Sequence, residues 1–402
     1  MKFSVLYNIE KKCIGWIEKN ITIIAFIIAF VFSIIIRISN FDYLSADAVN
    51  ALIPWFDVIK ENGGVSLLHR QVGNYNVPYQ TVIALLTYLP FEPIHAIKLF
   101  SCLFDYLLSA AIGYLVYIIT SNNKTKVFYS LIISMYLPVI VMNSSVWGQC
   151  DSIYTFFCIL CLILFFKEKN TLAFIAYGFA FSFKLQCIFF FPFLILYYLY
   201  KKRFSVLNFS IIPITLTILS LGGILQGRNI KEPLYLYLVQ SDTHPYTSLG
   251  YASFWNLLEA TMSDKYYSNI KYFAILTAIV AIGLIMTYVL KSEKELDNIM
   301  LVKLAFILAY TCVLFLPAMH ERYDYAYIML ALIIAFVDYK FIPISIVLNY
   351  ISMRSYASYL FNNAPNWNVL VFLNILAYAV SLIILIKDIG NLPTITSNSE
   401  ES

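Results

Sequence analysis

The chain has 402 residues and a formal net charge of +4, from 27 basic and 23 acidic side chains. Apolar residues make up 61% of it and charged residues only 12%, whereas soluble globular proteins carry about 25% charged residues. This composition excludes a soluble enzyme, a disordered chain and a nucleic-acid-binding protein with a basic face. It predicts an all-α, multi-pass protein whose solvent is the lipid bilayer.

Long apolar runs follow one another along the sequence and predict the membrane spans. The first, at residues 21–36, follows four lysines and lacks a small-residue cleavage site, so we expect an uncleaved anchor helix. The further runs share this apolar character and cover 97–119, 127–142, 151–166, 171–183, 187–200, 204–225, 271–290, 299–317, 325–337, 341–353 and 368–386. About twelve transmembrane helices result, in a single domain at 1–390 that is followed by a disordered tail at 391–402.

The short run at 77–89 decides the topology. It is bounded by Pro78 and Pro90 and is too short to cross a bilayer, so we predict a re-entrant or surface-lying helix. With this run outside, every short loop with clustered lysine and arginine falls on the side of the N-terminus, as the positive-inside rule requires. We therefore expect a cell-membrane protein with both termini in the cytoplasm and two long outside segments, at 37–96 and 226–270.

The first outside segment carries a polar cluster next to a predicted helix. From Ala48 onward, apolar residues recur at helical spacing and predict an amphipathic helix on the membrane, ended by Gly63 and Gly64. Asp47 directly precedes this helix, where it either caps the helix or serves as a catalytic base. The following loop either binds a sugar or lies at the membrane interface, and its candidate residues are Asn74, Tyr75 and Tyr79.

Polar residues also collect where two later helices meet the outer surface. Trp147, Gln149 and Asp151 lie at the start of a predicted helix, where Asp151 either favours the positive end of the helix dipole or belongs to a binding site. Lys184, with Gln186 beside it, lies near the tip of a tight hairpin, where it either extends toward water or binds an anion.

A third group of ionisable residues, His320, Glu321 and Arg322, follows an apolar span that ends in Pro317. In this position Arg322 is a candidate phosphate clamp, and His320 a candidate for binding a phosphate oxygen or relaying a proton. The alternative is a solvated loop whose charges pair with one another. A zinc protease is excluded, because no second histidine follows His320 at the fourth position.

The predicted topology brings these clusters to one side of the membrane. Asp47, Asp151, Lys184 and the triplet 320–322 come from four separate parts of the chain, yet all are predicted at the outer face. Ionisable residues at membrane depth point to functional sites. We therefore expect one polar pocket, open to lipid, that combines a base with phosphate-binding cations.

Five segments resemble the GT-C superfamily of integral-membrane glycosyltransferases, and most closely the bacterial relatives of the second mannosyltransferase of GPI-anchor synthesis. They are SADAVNALIPW at 45–55, NYNVPY at 74–79, SVWGQCDSIYT at 145–155, SFKLQ at 182–186 and MHERYDY at 319–325. The segments containing WGQxD and HERY are the more specific ones.

The resemblance implies a GT-C-like, inverting enzyme that transfers a mannose- or glucose-like hexose from a polyprenyl-phosphate carrier to a glycan or glycolipid hydroxyl at the outer face. It implies Asp47 as the general base, with Asp42 as the rival, and donor-phosphate binding by Lys184, His320 and Arg322. The expected substrate-binding residues are Asn74, Tyr75, Tyr79, Trp147, Gln149, Asp151, Gln186 and Glu321. No metal ion or other cofactor and no nucleic acid is expected, and we expect a monomer.

Two other functions stay open at this point. A lipid or glycan transporter or flippase would place polar residues at mid-membrane, often with internal repeats, and we see neither in the sequence. A glycan ligase that uses diphosphate-linked donors would place more arginines around the phosphates.

Overall fold

The structure is a computed structural model that describes residues 2–240, 246–261 and 267–395. It is almost entirely helical, because a helix in lipid satisfies its backbone hydrogen bonds within one segment. The α-helices, in chain order, are α1 (Lys2–Ile38), α2 (Ile53–Glu61), α3 (Val77–Leu86), α4 (Pro93–Ile119), α5 (Lys124–Tyr136), α6 (Pro138–Val141), α7 (Asp151–Phe166), α8 (Asn170–Phe183), α9 (Phe191–Lys201), α10 (Ile211–Leu219), α11 (Leu221–Ile224), α12 (Glu232–Gln240), α13 (Tyr267–Lys291), α14 (Asn298–Phe315), α15 (Tyr325–Ala335), α16 (Phe341–Phe361) and α17 (Trp367–Gly390). Short 3-10 or π turns lie at Ala48–Leu52, Gly64–His69, Met142–Val146, Leu185–Phe190, Val206–Ser210 and Phe254–Thr261.

Several of these helices are long and apolar enough to cross a membrane. Within the described residues there are five: Tyr7–Ile38, Pro93–Ile119, Ile270–Lys291, Asn298–Phe315 and Trp367–Gly390. A sixth results if α5 and the helical segment after it, which meet at a 43° bend, count as one span. The chain therefore has the helices of a membrane protein.

The prediction of about twelve spans is not confirmed by the helix lengths. The predicted spans at 151–166 and 171–183 correspond to α7, with 16 residues, and α8, with 14. At 1.5 Å per residue these helices are about 24 Å and 21 Å long, whereas the hydrocarbon core is about 30 Å thick. Apolar composition alone does not distinguish a helix that crosses lipid from one that is buried in protein.

The centre of the bundle is formed by helices that are apolar on nearly every side. In α14 every residue from Met300 to Leu314 is buried, and in α15 the same holds from Tyr325 to Ile334. Such helices have no polar face to present to water, so they take the interior. Helices α7 and α16 pack on α15, and α8 packs on the outer side of α7. The start of α7 and the ends of α8 and α14 lie on one side of the bundle.

Residues 37–96, predicted to lie outside and called the first outside segment below, fold back onto this bundle. The turn Ala48–Leu52 continues into α2, and together they bury one apolar face, made of Ala48, Leu52, Phe56 and Ile59. The predicted amphipathic helix is therefore present, but its apolar face packs on α3 and α4 of the protein. The run predicted not to span forms α3, which has only 10 residues.

One buried ion pair and three hydrogen bonds fix α1 and the turn after it against α4. Lys98 and Asp105 lie about two turns apart on α4, a spacing that predicts a mutual pair, but they bind different partners. The Lys98 ammonium donates to three carbonyl oxygens between residues 40 and 43, at 2.6–3.0 Å. Asp105 instead accepts from the Arg37 Nε at 3.0 Å. Lys98 and Asp105 do not pair with each other, because the end of α1 supplies a closer partner for Asp105 and the turn after α1 supplies closer partners for Lys98.

The chain after α17 packs on the connection between α13 and α14. The Lys294 ammonium donates to the Leu392 carbonyl oxygen at 2.8 Å, and the Ile395 amide donates to the Glu293 carbonyl oxygen at 2.8 Å. The predicted disordered tail at 391–402 therefore does not begin at residue 391. Residues 396–402 of that prediction lie outside the described residues.

Candidate functional site

A cavity of about 570 Å³ opens at the end of the bundle where α7 begins and α8 ends. Its walls come from the first outside segment, the turn between α8 and α9, α13, and the connection between α14 and α15. Part of the lining is polar and includes Asp47, Tyr75, Gln186 and Arg322. Another part is apolar: Phe183, Ile188, Phe189, Ile275, Leu316 and Pro317. The cavity suits a ligand that has both a polar and an apolar portion.

Asp47 is held in the cavity wall by three side-chain donors. Its Oδ2 accepts from the Trp147 indole at 2.9 Å and from the Gln149 amide at 2.6 Å, and its Oδ1 accepts from the Tyr359 hydroxyl at 2.6 Å. Its side chain is still 29% exposed. Asp47 makes no capping hydrogen bond to the helix that follows it, since the Ser45 hydroxyl accepts from the Ala48 amide instead.

The surroundings of Asp47 keep its carboxylate ionised. Burial alone would raise the pKa of this group, but the positive charge of Arg322 and the donors Tyr359, Trp147 and Gln149 outweigh burial and lower the pKa below its ordinary value. Asp47 is therefore a negatively charged hydrogen-bond acceptor at neutral pH, with part of its surface open to the cavity.

The rival residue Asp42 is not in this cavity. Its side chain is 93% exposed, and its Oδ1 lies 2.9 Å from the His95 Nε2. Asp42 is separated from the cavity because the chain turns directly after α1, while Asp47 follows the turn and packs against Trp147. Of the two carboxylates, only Asp47 contacts the space in which a substrate would lie.

Lys184 reaches the cavity wall as part of a buried ion pair. Its ammonium lies 2.6 Å from the Asp151 Oδ1, and its side chain is only 4% exposed. The Asn143 amide donates to the other Asp151 oxygen at 2.9 Å. Lys184 does not extend toward water, because its backbone is extended where α8 ends and directs it to the start of α7. Asp151 satisfies Lys184 rather than a ligand.

Arg322 is the centre of the charged groups. Its Nη1 donates to the Glu321 Oε1 at 2.7 Å, and its nitrogens lie 3.9 Å from an Asp151 oxygen and 4.0 Å from an Asp47 oxygen. The guanidinium also lies over the Trp147 ring, at 5.1 Å. Although burial opposes its charge, the surrounding carboxylates raise the pKa of Arg322 above its ordinary value.

Strand pairing fixes the segment that carries Arg322. After α14, β2 (Met319–His320) pairs in parallel with β1 (Ser248–Leu249) from the second outside segment. The Glu321 amide then donates to the Leu249 carbonyl oxygen at 3.2 Å. His320 lines the cavity, with its Nδ1 3.7 Å from the Glu321 Oε2. The second outside segment therefore orients the charged triplet through its backbone.

The remaining predicted substrate-binding residues divide into two groups. Asn74, Tyr75, Gln186 and Glu321 line the cavity. The others are buried behind its wall and contact protein groups instead: Tyr79, Trp147, Gln149 and Asp151. In this structure these four residues support the cavity wall and do not line it, and their contact with a substrate stays a prediction.

Tyr359 is a residue of the site that the sequence did not reveal. It lies in α16, stacks on the Trp147 ring at a centroid distance of 4.6 Å, and donates to Asp47. The sequence contains 32 tyrosines, and nothing in the pattern around this one distinguishes it. It is also 312 positions away from Asp47, so only the packing of α16 reveals the contact.

The polar wall offers unused hydrogen-bonding capacity. Among the described residues, the Arg322 Nε and the Gln186 Oε1 are buried and have no hydrogen-bond partner. Buried polar atoms normally have partners, so such atoms at a cavity indicate a place for a ligand or ordered water. Within residues 2–240, 246–261 and 267–395, no three His, Cys, Asp or Glu side chains are grouped closely enough to hold a metal ion.

No family model and no curated protein sequence matches the chain. The resemblance to GT-C glycosyltransferases therefore stays a prediction from the quoted motifs. The geometry of the cavity is the independent basis for any functional conclusion.

Proposed function

We propose that this protein is a membrane glycosyltransferase that moves a hexose from a polyprenyl-phosphate carrier to an acceptor hydroxyl, with Asp47 as the general base. The observation that carries the proposal is the ionised Asp47 carboxylate, fixed by three donors at a cavity that also contains Arg322. Such a donor has a charged head and a hydrocarbon tail, and the cavity has both polar and apolar lining.

The proposed reaction is a direct displacement at the anomeric carbon. The acceptor oxygen forms a bond to this carbon while the bond to the phosphate oxygen breaks, and the electron pair leaves with the phosphate. The acceptor proton passes to an Asp47 oxygen, which must lie about 2.6–3.2 Å from the hydroxyl. Attack from the face opposite to the phosphate inverts the configuration.

Arg322 is the best placed cation for the departing phosphate. Its Nε is buried, makes no hydrogen bond among the described residues and lies 3.9 Å from an Asp151 oxygen. A phosphate oxygen that reaches this Nε would share it with Asp151, while Nη1 stays on Glu321. Lys184 is already bound at 2.6 Å by Asp151 and would have to share its ammonium. A fixed positive charge beside the leaving oxygen stabilises the charge that grows there in the transition state.

One wall of the cavity comes from a helix that suits a lipid donor. Tyr267, Lys271 and Ile275, one helical turn apart, line the cavity from α13. Only 22% of the most apolar 18-residue stretch of α13 is buried inside the protein, so most of this stretch is available to lipid. A polyprenyl tail beside α13 would leave the sugar and phosphate near Arg322 and Asp47.

The test is transfer by the purified protein in lipid nanodiscs, with radiolabelled mannosyl and glucosyl polyprenyl phosphate as donors and a membrane lipid extract as acceptor. Asp47→Asn should lower the rate by about 100-fold or more, because general base catalysis contributes roughly 10²–10⁴-fold. Asp42→Asn is the matched control and should keep the wild-type rate.

Any of three results would contradict the proposal. The first is a wild-type protein that leaves both monophosphate donors intact. The second is an Asp47→Asn variant whose activity stays within a few-fold of wild type, and the third is an equal loss of activity in Asp47→Asn and Asp42→Asn. Movement of the intact donor between leaflets without loss of its sugar would favour a flippase instead.

A further inference from the structure

We infer that Arg228 is a positioning residue for Asp47, acting from the second outside segment through the loop at 70–76. Its catalytic consequence rests on the proposed function, whereas its effect on the loop does not. No feature of the sequence points to this residue, which lies between α11 and α12.

Arg228 is a buried bridge between the two outside segments. Its side chain is 0% exposed, and it does not line the cavity that contains Asp47 and Arg322. Its Nε donates to the Leu68 carbonyl oxygen at 3.0 Å, its Nη1 to the Gln71 Oε1 at 2.6 Å, and its Nη2 to the Gln80 Oε1 at 3.2 Å. Glu232 lies 3.2 Å from Nη1 and supplies the counter-charge. The planar guanidinium thus serves three acceptors of the first outside segment at once.

A continuous series of hydrogen bonds leads from Arg228 to Asp47. Gln71, held by Arg228, donates from its Nε2 to the Tyr75 carbonyl oxygen at 2.7 Å. The Tyr75 hydroxyl donates to the Gln149 Oε1 at 2.8 Å. Gln149 in turn donates from its Nε2 to the Asp47 Oδ2 at 2.6 Å. Each link fixes the donor of the next, so Arg228 sets the position of a group that holds the proposed base.

The loop needs such support because it contains no regular secondary structure. Its backbone relies on two glutamine side chains: Gln71 also donates to the Gly73 carbonyl oxygen, and Gln80 accepts from the Val72 amide. Arg228 orients both glutamines. Without its guanidinium, both amides would lose a charged partner, and only the hydrogen bonds from Asn76 to Pro233 and from Gln240 to Asn74 would still join the loop to α12.

The loop also carries a built-in spectroscopic probe. The Trp55 ring packs against Tyr75, at a centroid distance of 5.6 Å, and lies directly over Gly73. A loop that moves away would uncover this indole. Trp55 therefore reports loop position by its accessibility to a quencher, independently of any enzymatic reaction.

The experiment compares Arg228→Met and Arg228→Lys with Arg203→Met, a control that removes an arginine side chain that is 74% exposed at the end of α9 opposite the cavity. Acrylamide quenching of tryptophan fluorescence is measured for each protein and for the same protein with Trp55→Phe. The difference between the two gives the quenching of Trp55. Quenching should increase in Arg228→Met, less so in Arg228→Lys, and stay unchanged in the control.

In the transfer assay, Arg228→Met should lower kcat about 10–100-fold, because a displacement near 1 Å at a catalytic group has effects of this size. The KM for the donor should change less than about three-fold, since Arg228 does not line the cavity. Arg228→Lys keeps the charge but not the three-way geometry and should restore part of the rate.

Unchanged Trp55 quenching in Arg228→Met would overturn the inference, whatever the activity. An Arg228→Met protein with a raised KM for the donor and an unchanged kcat would also overturn the inference. If Arg228→Met does not fold, Arg228→Lys decides alone by the same two measurements. Increased quenching in the variants of a protein that transfers no sugar would support the loop contact and overturn the proposed function instead.

Discussion

Removing Lys184 should destabilise the protein strongly, because it would leave the Asp151 carboxylate buried without its main partner. The two groups are 2.6 Å apart, with 4% and 0% of their side chains exposed. Breaking a buried ion pair by removing one partner typically costs about 3–5 kcal/mol. We expect Lys184→Met to lower the free energy of unfolding by about 3 kcal/mol, at the lower end of this range. Asp151 keeps some compensation, because Asn143 still donates to it and the Arg322 Nε lies 3.9 Å from its Oδ2.

A double-mutant cycle separates the charge effect from lost packing. The double variant Lys184→Met/Asp151→Asn removes both charges and should cost less than the sum of the single variants, with a coupling energy of about 2 kcal/mol or more. Unfolding can be followed in detergent with a thiol-reactive dye, because six cysteines are buried in the described residues, and Cys13→Ser removes the exposed one. Lys60→Met, at an exposed position on α2, is the matched control. Additive single effects, or a Lys184→Met protein as stable as the control, would refute the assignment of a buried pair.

Two further predictions concern Asp47 and the loop beside it. Tyr359→Phe keeps the ring on Trp147 but removes a donor that lowers the pKa of Asp47. The acid limb of the pH profile of kcat/KM should therefore move to higher pH. An unmoved limb would mean that a group other than Asp47 titrates there. Gly73→Ala should destabilise the protein by more than about 1 kcal/mol in the thiol-dye assay, since the added Cβ would lie 2.4 Å from the Trp55 ring at a residue with φ of 72°. Wild-type stability of Gly73→Ala would contradict the loop geometry.

The meeting of distant charged segments could be predicted from sequence because it depends only on which side of the bundle each helix ends. Asp47 lies before α2, Lys184 after α8, and Arg322 after α14, and all three line one cavity. Charged residues are scarce in this chain, so each one at a helix end was noticeable. Sidedness is a coarse property that apolar runs and basic loops retain even when helix boundaries are misplaced.

The partners of each charge could not be predicted, because they depend on packing at the scale of one side chain. Asp151 and Lys184 were expected to contact substrate, yet they bind each other across 33 positions. Arg228 and Tyr359 were missed for the same reason, since a buried arginine or tyrosine carries no sequence signal of the backbone it will meet. The count of about twelve spans is not confirmed for a different reason: interior helices such as α15 are as apolar as lipid-facing ones but only 11 residues long.

The hydrogen bonds around Asp47 bear on the mechanism as well as on its position. Three donors and Arg322 lower the pKa of this carboxylate, and a weaker base removes a proton less readily in the ground state. An acceptor hydroxyl becomes acidic only once its oxygen begins to bond to the sugar carbon, which carries positive charge in an oxocarbenium-like transition state. A weak, well-oriented carboxylate suits that order of events, because it stays ionised to stabilise the developing positive charge and takes the proton late. Under the proposed function, departure of the phosphate beside Arg322 would therefore lead the reaction, and proton transfer to Asp47 would follow it.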